Sequence, residues 1–283
     1  MRVGTSGWSY PPTTGPGSWT GVFYPLLKTD ELKFYSRYFN VVEINSTFYR
    51  PCNPKTAESW AKRTPSDFEF TVKAWQQFTH NKEEWTAAEI EEFKSGILPL
   101  IEADKLGCLL FQFPTSFRHT TETMDRLKSL LTAFEDYPKA VELRHRSWTD
   151  VFPSLESFGA VPTFIDEPKF KDSIRQDIAE AGAHLLYLRF HGRKFDKWWK
   201  HEHRNERYDY LYAPEELQPY AVRLKSILEN KDIQRAYIFF NNHPGAKAVA
   251  NAVMMRAQLD IPVKAELPEK LVETFPELVS ARW

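Results

Sequence analysis

Cysteine is scarce in this chain. Cys52 and Cys108 are the only two, too few for a disulfide framework and without metal-ligand spacing. Both read as reduced thiols of a cytoplasmic protein. No apolar run approaches the ~18 residues of a membrane span, and Met1-Arg2 leads into Val3-Gly4-Thr5-Ser6-Gly7 with no apolar export segment. Net charge is nearly absent as well. At −1 over 283 residues, no global field draws the chain to nucleic acid or to an anionic membrane. There is no G-x-S-x-G, C-x-x-C, H-E-x-x-H or P-loop, so serine-nucleophile and zinc-protease chemistry lack support. A dinucleotide fingerprint is missing too: the first apolar run gives way to Thr5-Ser6-Gly7-Trp8-Ser9-Tyr10, without G-x-G-x-x-G spacing.

What the sequence does have is a series of apolar runs with polar ends. Glu43 and Asn45 close Val41–Asn45, and Lys73 closes Phe68–Lys73. Gln112 follows Leu109-Leu110-Phe111, and Glu142 and Arg144 alternate with Val141 and Leu143. Asp166 ends Thr163-Phe164-Ile165, Arg189 and His191 alternate with Leu188 and Phe190, and Asn241-Asn242 follow Tyr237–Phe240. Strand side chains alternate faces, so each run aims its last polar groups to one side. In parallel strands those groups converge on one mouth.

Spacing predicts strands at 2–7, 41–45, 68–73, 107–113, 139–144, 161–166, 184–191 and 235–241. Helices are expected between them at 30–38, 54–63, 86–103 and 120–134, from Ser147 or Thr149, at 171–181, at 214–228, and from Pro244 to Asp260. Such strand–helix alternation, with 42% hydrophobic residues to fill a core, fits an α/β chain. The fold expected is a single (β/α)8 TIM barrel over 1–283, with long βα loops at the C-terminal mouth. The first loop, Trp8 to Pro25, and the segment 192–213 are the longest of these. The tail from Ile261 to Trp283 is amphipathic and would cover the barrel bottom or rim.

The charges expected at the mouth balance: Glu43, Glu142 and Asp166 against Lys73, Arg144 and Arg189. Divalent metal pairs prefer surplus carboxylate and imidazole. No metal is therefore expected, although Glu43, Glu142, Asp166 or His191 could hold a single divalent ion. Several buried charges cost several kcal/mol each unless well paired, which favours a functional reading over a mere ion-pair layer. Loops after the seventh and eighth strands of barrels often hold phosphate. Here they carry His191-Gly192-Arg193-Lys194 and Asn241-Asn242-His243-Pro244-Gly245. Gly192 permits close backbone approach, and Arg193 can fork onto a phosphate or carboxylate. Trp8, Trp75 and Trp148 would wall the mouth. Residues 193–212 interleave basic and aromatic side chains, which suits a lid or a surface on which bases stack.

Several blocks carry a family resemblance: Gly4–Tyr10, Gly21–Pro25, Val42–Tyr49, Phe70–Ala74 with Thr79-His80, and Leu110–Pro114. Glu142–His145 with Ser147-Trp148, Asp166–Pro168, Leu188–Arg193, Arg207–Tyr212 and Phe240–Asn242 continue it. Across nearly its whole length the chain resembles the YecE-like family, domain of unknown function 72. Pro11 to Ser18 reads as a longer, Pro/Gly-rich version of that family's first loop. The resemblance implies a TIM barrel, distantly similar to barrels of the endonuclease IV and xylose isomerase types, which use metals and act on sugars or abasic DNA.

The leading expectation is an enzyme acting on a small anionic ligand, a phosphorylated sugar or nucleotide-like compound, with no cofactor. Lys73, Arg144, Arg189 and Arg193 would bind the anion, with Glu43 or Glu142 as general base and Asp166 or His191 as acid. A Schiff base at Lys73 is a minor variant. Asn45, Gln112 and Asn241 would orient hydroxyls, with Gly192, Asn242, Trp8 and Trp148 lining the ligand. The alternatives are a nucleic-acid-binding or processing protein using 193–212 and a non-catalytic ligand-binding protein.

Overall fold

Apolar runs of four to seven residues, too short for helices of useful length, form the strands of the computed structural model, which describes residues 1–10, 17–26, 28–181 and 184–280. They are β1 (Arg2–Ser6), β2 (Val41–Ile44), β3 (Glu69–Lys73), β4 (Leu106–Gln112), β5 (Lys139–Glu142), β6 (Val161–Asp166), β7 (Leu185–Phe190) and β8 (Arg235–Phe240). They follow one another in order and close as a barrel. β1 pairs in parallel with β8 from Arg2↔Tyr237 to Thr5↔Phe240. β4 pairs in parallel with β3 and with β5, as does β5 with β6. Strands buried on both faces need apolar side chains on both, which is why the runs are nearly continuous.

The helices are α1 (Glu31–Tyr35), α2 (Pro54–Lys62), α3 (Gln76–Thr79), α4 (Ala87–Glu102), α5 (Thr121–Ala133), α6 (Pro214–Asn230), α7 (Lys247–Gln258), α8 (Glu269–Thr274) and α9 (Glu277–Ser280). Their starts are written in short polar side chains. Asp30 accepts from the Lys33 amide, Asn53 accepts from Lys55 ahead of Pro54, and Thr86 with Glu89 forms a reciprocal capping box on α4. Two helix ends are closed by lysines at the start of strands, Lys105 just before β4 and Lys139 opening β5. Lys105 Nζ donates to the carbonyls of Ala61 and Thr64 and to Thr64 Oγ1 beyond α2, at 2.7–2.9 Å. Lys139 Nζ donates to the carbonyls of Phe134, Glu135 and Tyr137 beyond α5. A cation at a helix C-terminus satisfies orphan carbonyls and complements the helix dipole.

Two expectations are corrected. No α-helix forms at 171–181; the segment ends in a 3-10 turn, Ile178–Glu180. Its backbone groups are taken elsewhere: Ile174 N–H donates to the Arg144 carbonyl, Arg146 N–H donates to the Asp172 carbonyl, and His145 bridges Ser173. After β5 the helix is likewise replaced by 3-10 turns, Arg146–Trp148 and Phe152–Phe158, the latter stopped by Gly159 at φ 72°. The tail forms α8 and α9, whose Leu271 and Leu278 are buried with Phe275. Residues Pro11 to Pro16 of the first loop and Ala281 to Trp283 of the tail lie outside the described residues.

Packing divides the chain into two compact units. One comprises Met1–Val42, Ile165–Pro168 and Leu188–Trp283; the other comprises Glu43–Phe164 and Lys169–Tyr187. In the first, Phe190 stacks on Phe240 at 4.7 Å and takes the edge of Tyr212 at 5.4 Å. In the second, Phe78 gathers Phe93 and Phe134, each at 5.6 Å. There Gly96 lets α4 lie against the Cys52 carbonyl, which an added Cβ would approach to 2.4 Å.

Candidate active site

The charged residues expected at the mouth fall in different units. Glu43, Lys73, Glu142 and Arg144 belong to one; Asp166, Arg189, His191 and Arg193 belong to the other.

In the first of these, strand alternation sets the cluster. Glu43 ends the polar register of β2 and is fully buried. Tyr187 donates its hydroxyl to Glu43 Oε2 at 2.8 Å. A phenol has one hydrogen, so the 2.8 Å contact between Tyr187 Oη and Thr71 Oγ1 is donated by Thr71. Two residues beyond Thr71, on the same face of β3, Lys73 Nζ donates to Gln112 Oε1 at 2.7 Å and lies 4.0 Å from the Phe48 ring centre. Arg144 donates through Nε at 2.7 Å to Oε1 of buried Glu142, and Nη2 reaches the same oxygen. Asn45 Oδ1 is buried with no hydrogen-bond partner.

His80 completes this cluster. It follows α3, packs edge-on against Phe48 at 4.8 Å and shares a 2.9 Å hydrogen bond between Nδ1 and Thr79 Oγ1. Burial pushes its imidazole down to about 4, aided by the fields of Lys73 and Arg144 and opposed by Glu142. It is neutral at physiological pH. Trp148, expected as a wall, is fully buried: its indole N–H donates to the Phe117 carbonyl at 2.8 Å and the ring stacks on Phe117.

In the other unit the groups expected to hold phosphate have protein partners. Asp166 accepts four hydrogen bonds: Arg193 Nε at 2.9 Å and Nη2 at 2.8 Å, and the hydroxyls of Tyr212 and Tyr220 at 2.6 Å each. Burial alone would raise the Asp166 carboxyl, but these donors outweigh it and hold it below the usual carboxylate range. Asp166 is thus ionised and saturated, which suits a fixed structural anion better than a proton donor. Arg193 forks onto Asp166 and reaches Glu216 at 3.0 Å, so its planar donors are engaged within the protein. The Gly192 N–H donates to Tyr212 Oη at 2.9 Å. At φ +89°, a Cβ on Gly192 would come within 2.8 Å of Tyr210 Cβ, so glycine here serves chain packing. Asn242 Nδ2 donates to the Tyr210 carbonyl and to Asn251 Oδ1. His191 is buried between Asn241, at 3.0 Å from Nδ1, and Arg189, at 3.4 Å from Nε2. Trp8 lends its carbonyl to the Tyr24 hydroxyl.

In the 193–212 segment, Lys197 pairs with Glu206 at 2.9 Å, Trp198 and Tyr212 are buried, and Arg207 lies over Tyr208. Among the described residues no group of three or more His, Cys, Asp or Glu side chains is placed to hold a metal ion, and none of the helices is long and apolar enough to cross a membrane.

Sequence reasoning missed His80, Thr71, Tyr187 and Tyr220 as site residues. Alternation could have found Thr71 and Tyr187, which stand two positions before Lys73 and Arg189. Thr79-His80 stands among the blocks that carry the family resemblance, whereas Tyr220, inside α6, carries no local signal.

A closed eight-stranded barrel with helices between its strands and polar strand ends defines a TIM-barrel protein. Residues 2–274 match the family described as protein of unknown function DUF72, and the chain belongs to that family. It is 30% identical to the UPF0759 protein YunF of Bacillus subtilis, over 96% of this chain and 99% of that one. The UPF0759 protein YecE of Escherichia coli is 29% identical over 46% of the chain and 47% of its own length. Among solved structures, a DUF72 family protein from Thermotoga maritima superposes with a TM-score of 0.80 at 32% identity, covering 92% of this chain and 98% of that one. One from Enterococcus faecalis gives 0.80 at 23% identity over 95% and 99%, a likeness of fold.

Proposed function

We propose that the cluster of Lys73, Arg144, Glu43, Glu142 and Gln112 binds a small anionic organic ligand, a phosphorylated sugar or nucleotide-like compound, and acts on it by acid–base chemistry. One observation carries this reading: half-exposed Lys73, over the Phe48 ring that also meets His80, and half-exposed Arg144, on buried Glu142, stand at the polar ends of β3 and β5, which flank β4 in one unit. Balanced charges of this kind suit a ligand with both an anionic end and hydroxyls. Lys73 holds the anionic end, and Arg144, whose Nε and Nη2 donate to Glu142, is the second cation of the cluster. The unpartnered Asn45 Oδ1 takes a ligand hydroxyl, and Gln112 orients a second. The free thiols of Cys52 and Cys108 support a cytoplasmic setting.

A thermal-shift panel of inorganic phosphate, hexose phosphates, nucleoside monophosphates and small carboxylates tests this. We expect at least one compound to raise the unfolding midpoint, with the rise lost in Lys73→Met and in Arg144→Leu. A panel that moves nothing, or a rise that survives both substitutions, overturns it.

A further inference from the structure

We infer that His80 is the proton-accepting group of this site and that Arg126, on a separate helix, is the residue that positions it. The inference rests on the anionic-ligand reading for the chemistry, but its structural half stands alone.

His80 has the placement a base needs. Its ring and the Lys73 ammonium share the Phe48 side chain, His80 meeting the edge at 4.8 Å and Lys73 the face at 4.0 Å. A ligand anion held by Lys73 therefore has an imidazole beside it. In the tautomer whose Nδ1 carries the hydrogen and donates to Thr79 Oγ1, the lone pair sits on Nε2, and this is the tautomer the base role requires. Nε2 takes a proton from a hydroxyl or acidic C–H of the ligand. The electron pair remains on that ligand atom, and the negative charge develops near Lys73 and Arg144. The groups that bear on the ring are Lys73, Arg144 and Glu142. Burial, helped by the two cations, keeps it unprotonated, which is the form a base must have at the start.

Arg126 supplies the positioning. His80 lies at the root of an exposed segment, 81–84, that leads to Trp85 and the capped start of α4. From α5, Arg126 Nη2 donates to the carbonyls of Asn81 at 2.9 Å and Glu83 at 3.0 Å, and Nη1 donates to Lys82 at 3.3 Å. The guanidinium also stacks over Trp85 at 4.7 Å. Three consecutive carbonyls thus point at one cation, a backbone curl that water alone would hold poorly. Trp85 in turn meets Phe78 of α3 at 6.3 Å. The clamp holds residues 81–83 and Trp85, beginning at the residue directly after His80.

NMR titration of the imidazole C2–H signals in the full chain tests this, the His80 signal being identified by its loss in His80→Gln. In the wild type we expect that signal to titrate at about 4. In Arg126→Ala the segment loosens, the ring regains water, and the midpoint moves toward about 6.5. Arg126→Lys behaves like Arg126→Ala, since one ammonium lacks the planar fork; it also serves should the alanine variant fail to fold. The other histidine signals report that the fold is kept. Inorganic phosphate then raises the wild-type midpoint by about 1 pH unit through its charge and loses this effect in Lys73→Met. Identical His80 titration in wild type and both Arg126 variants overturns the positioning role. A midpoint indifferent to phosphate that binds through Lys73 overturns the base role. Phosphate binding unaffected by Lys73→Met overturns the anionic-ligand reading, while the phosphate-free titration still decides the part played by Arg126.

Discussion

Tyr187 donates a 2.8 Å hydrogen bond to Glu43 across 144 positions of sequence, with both side chains fully buried. Neither residue is near the other in the chain, and folding alone brings them together. The pair shows how the cluster is held: a carboxylate kept in place by a phenol that is itself ordered by Thr71. Such a buried network is worth most when every member has its partner.

Tyr187→Phe removes one donor from a buried carboxylate and leaves Thr71 without its acceptor. We expect a loss of about 1–3 kcal/mol in unfolding free energy, read by urea denaturation. Thr71→Val with Tyr187→Phe should cost less than the sum of the single changes, because the two act through one network.

Asp166→Asn breaks a carboxylate that takes four donors. The expected cost is about 3 kcal/mol, near the low end for a broken buried pair because Arg193 is partly in water. Tyr220→Phe should cost about 1 kcal/mol. If Asp166→Asn left the denaturation midpoint unchanged, the clamp of Arg193, Tyr212 and Tyr220 would have no structural role.

Lys105→Met keeps the aliphatic stem of a buried lysine but removes three hydrogen bonds from the end of α2. A loss of about 2 kcal/mol follows from charged hydrogen bonds to orphan carbonyls. Lys139→Met should behave alike at α5, and hydrogen exchange should quicken first in the last turn of each helix.

Stability should fall in mild acid. His243, stacked on Tyr10 at 4.4 Å, is pushed down to about 4 by burial. The unfolded chain binds its proton near the ordinary value of about 6.5. The stabilisation is therefore complete above about 6.5 and is lost as pH falls toward about 4, up to about 3 kcal/mol for this group. His80 shifts in the same direction. Chemical denaturation at pH 7 and pH 4.5 measures the loss, and His243→Gln should flatten the slope between them.

The 193–212 segment should not bind nucleic acid in a salt-dependent manner, because Arg193 and Lys197 are paired with acids of the same unit. Fluorescence anisotropy with single-stranded DNA at low salt checks this. Steep, salt-sensitive binding would return the segment to a nucleic-acid role.

Much of the fold was legible because the signals are local. Each strand is a short apolar run, and the major helices begin at Asp30, Asn53, Thr86 and Thr120, whose side chains accept from the first-turn amides. The segment 171–181 misled because its periodicity is real but its backbone partners are distant. Ile174 and Asp172 bond to Arg144 and Arg146, which spacing within the segment cannot reveal. Of the candidate site, Glu43, Lys73, Gln112, Glu142 and Arg144 were visible as polar strand ends. The clamp on Asp166 was not, since two of its donors, Tyr212 and Tyr220, come from beyond β7.

The amino-acid sequence by itself determined the alternation of strands and helices and the polar residue types at the strand ends, because hydrophobic period and capping chemistry act over a few residues. Only the tertiary structure decided which of those polar groups are already spent. Arg193 and Lys73 look alike in sequence, and the fold gives each its own partners, Asp166 and Glu216 for Arg193, with Gln112 and the Phe48 ring among those of Lys73. A charge acquires its role from its neighbours in space, and those neighbours are brought together by folding.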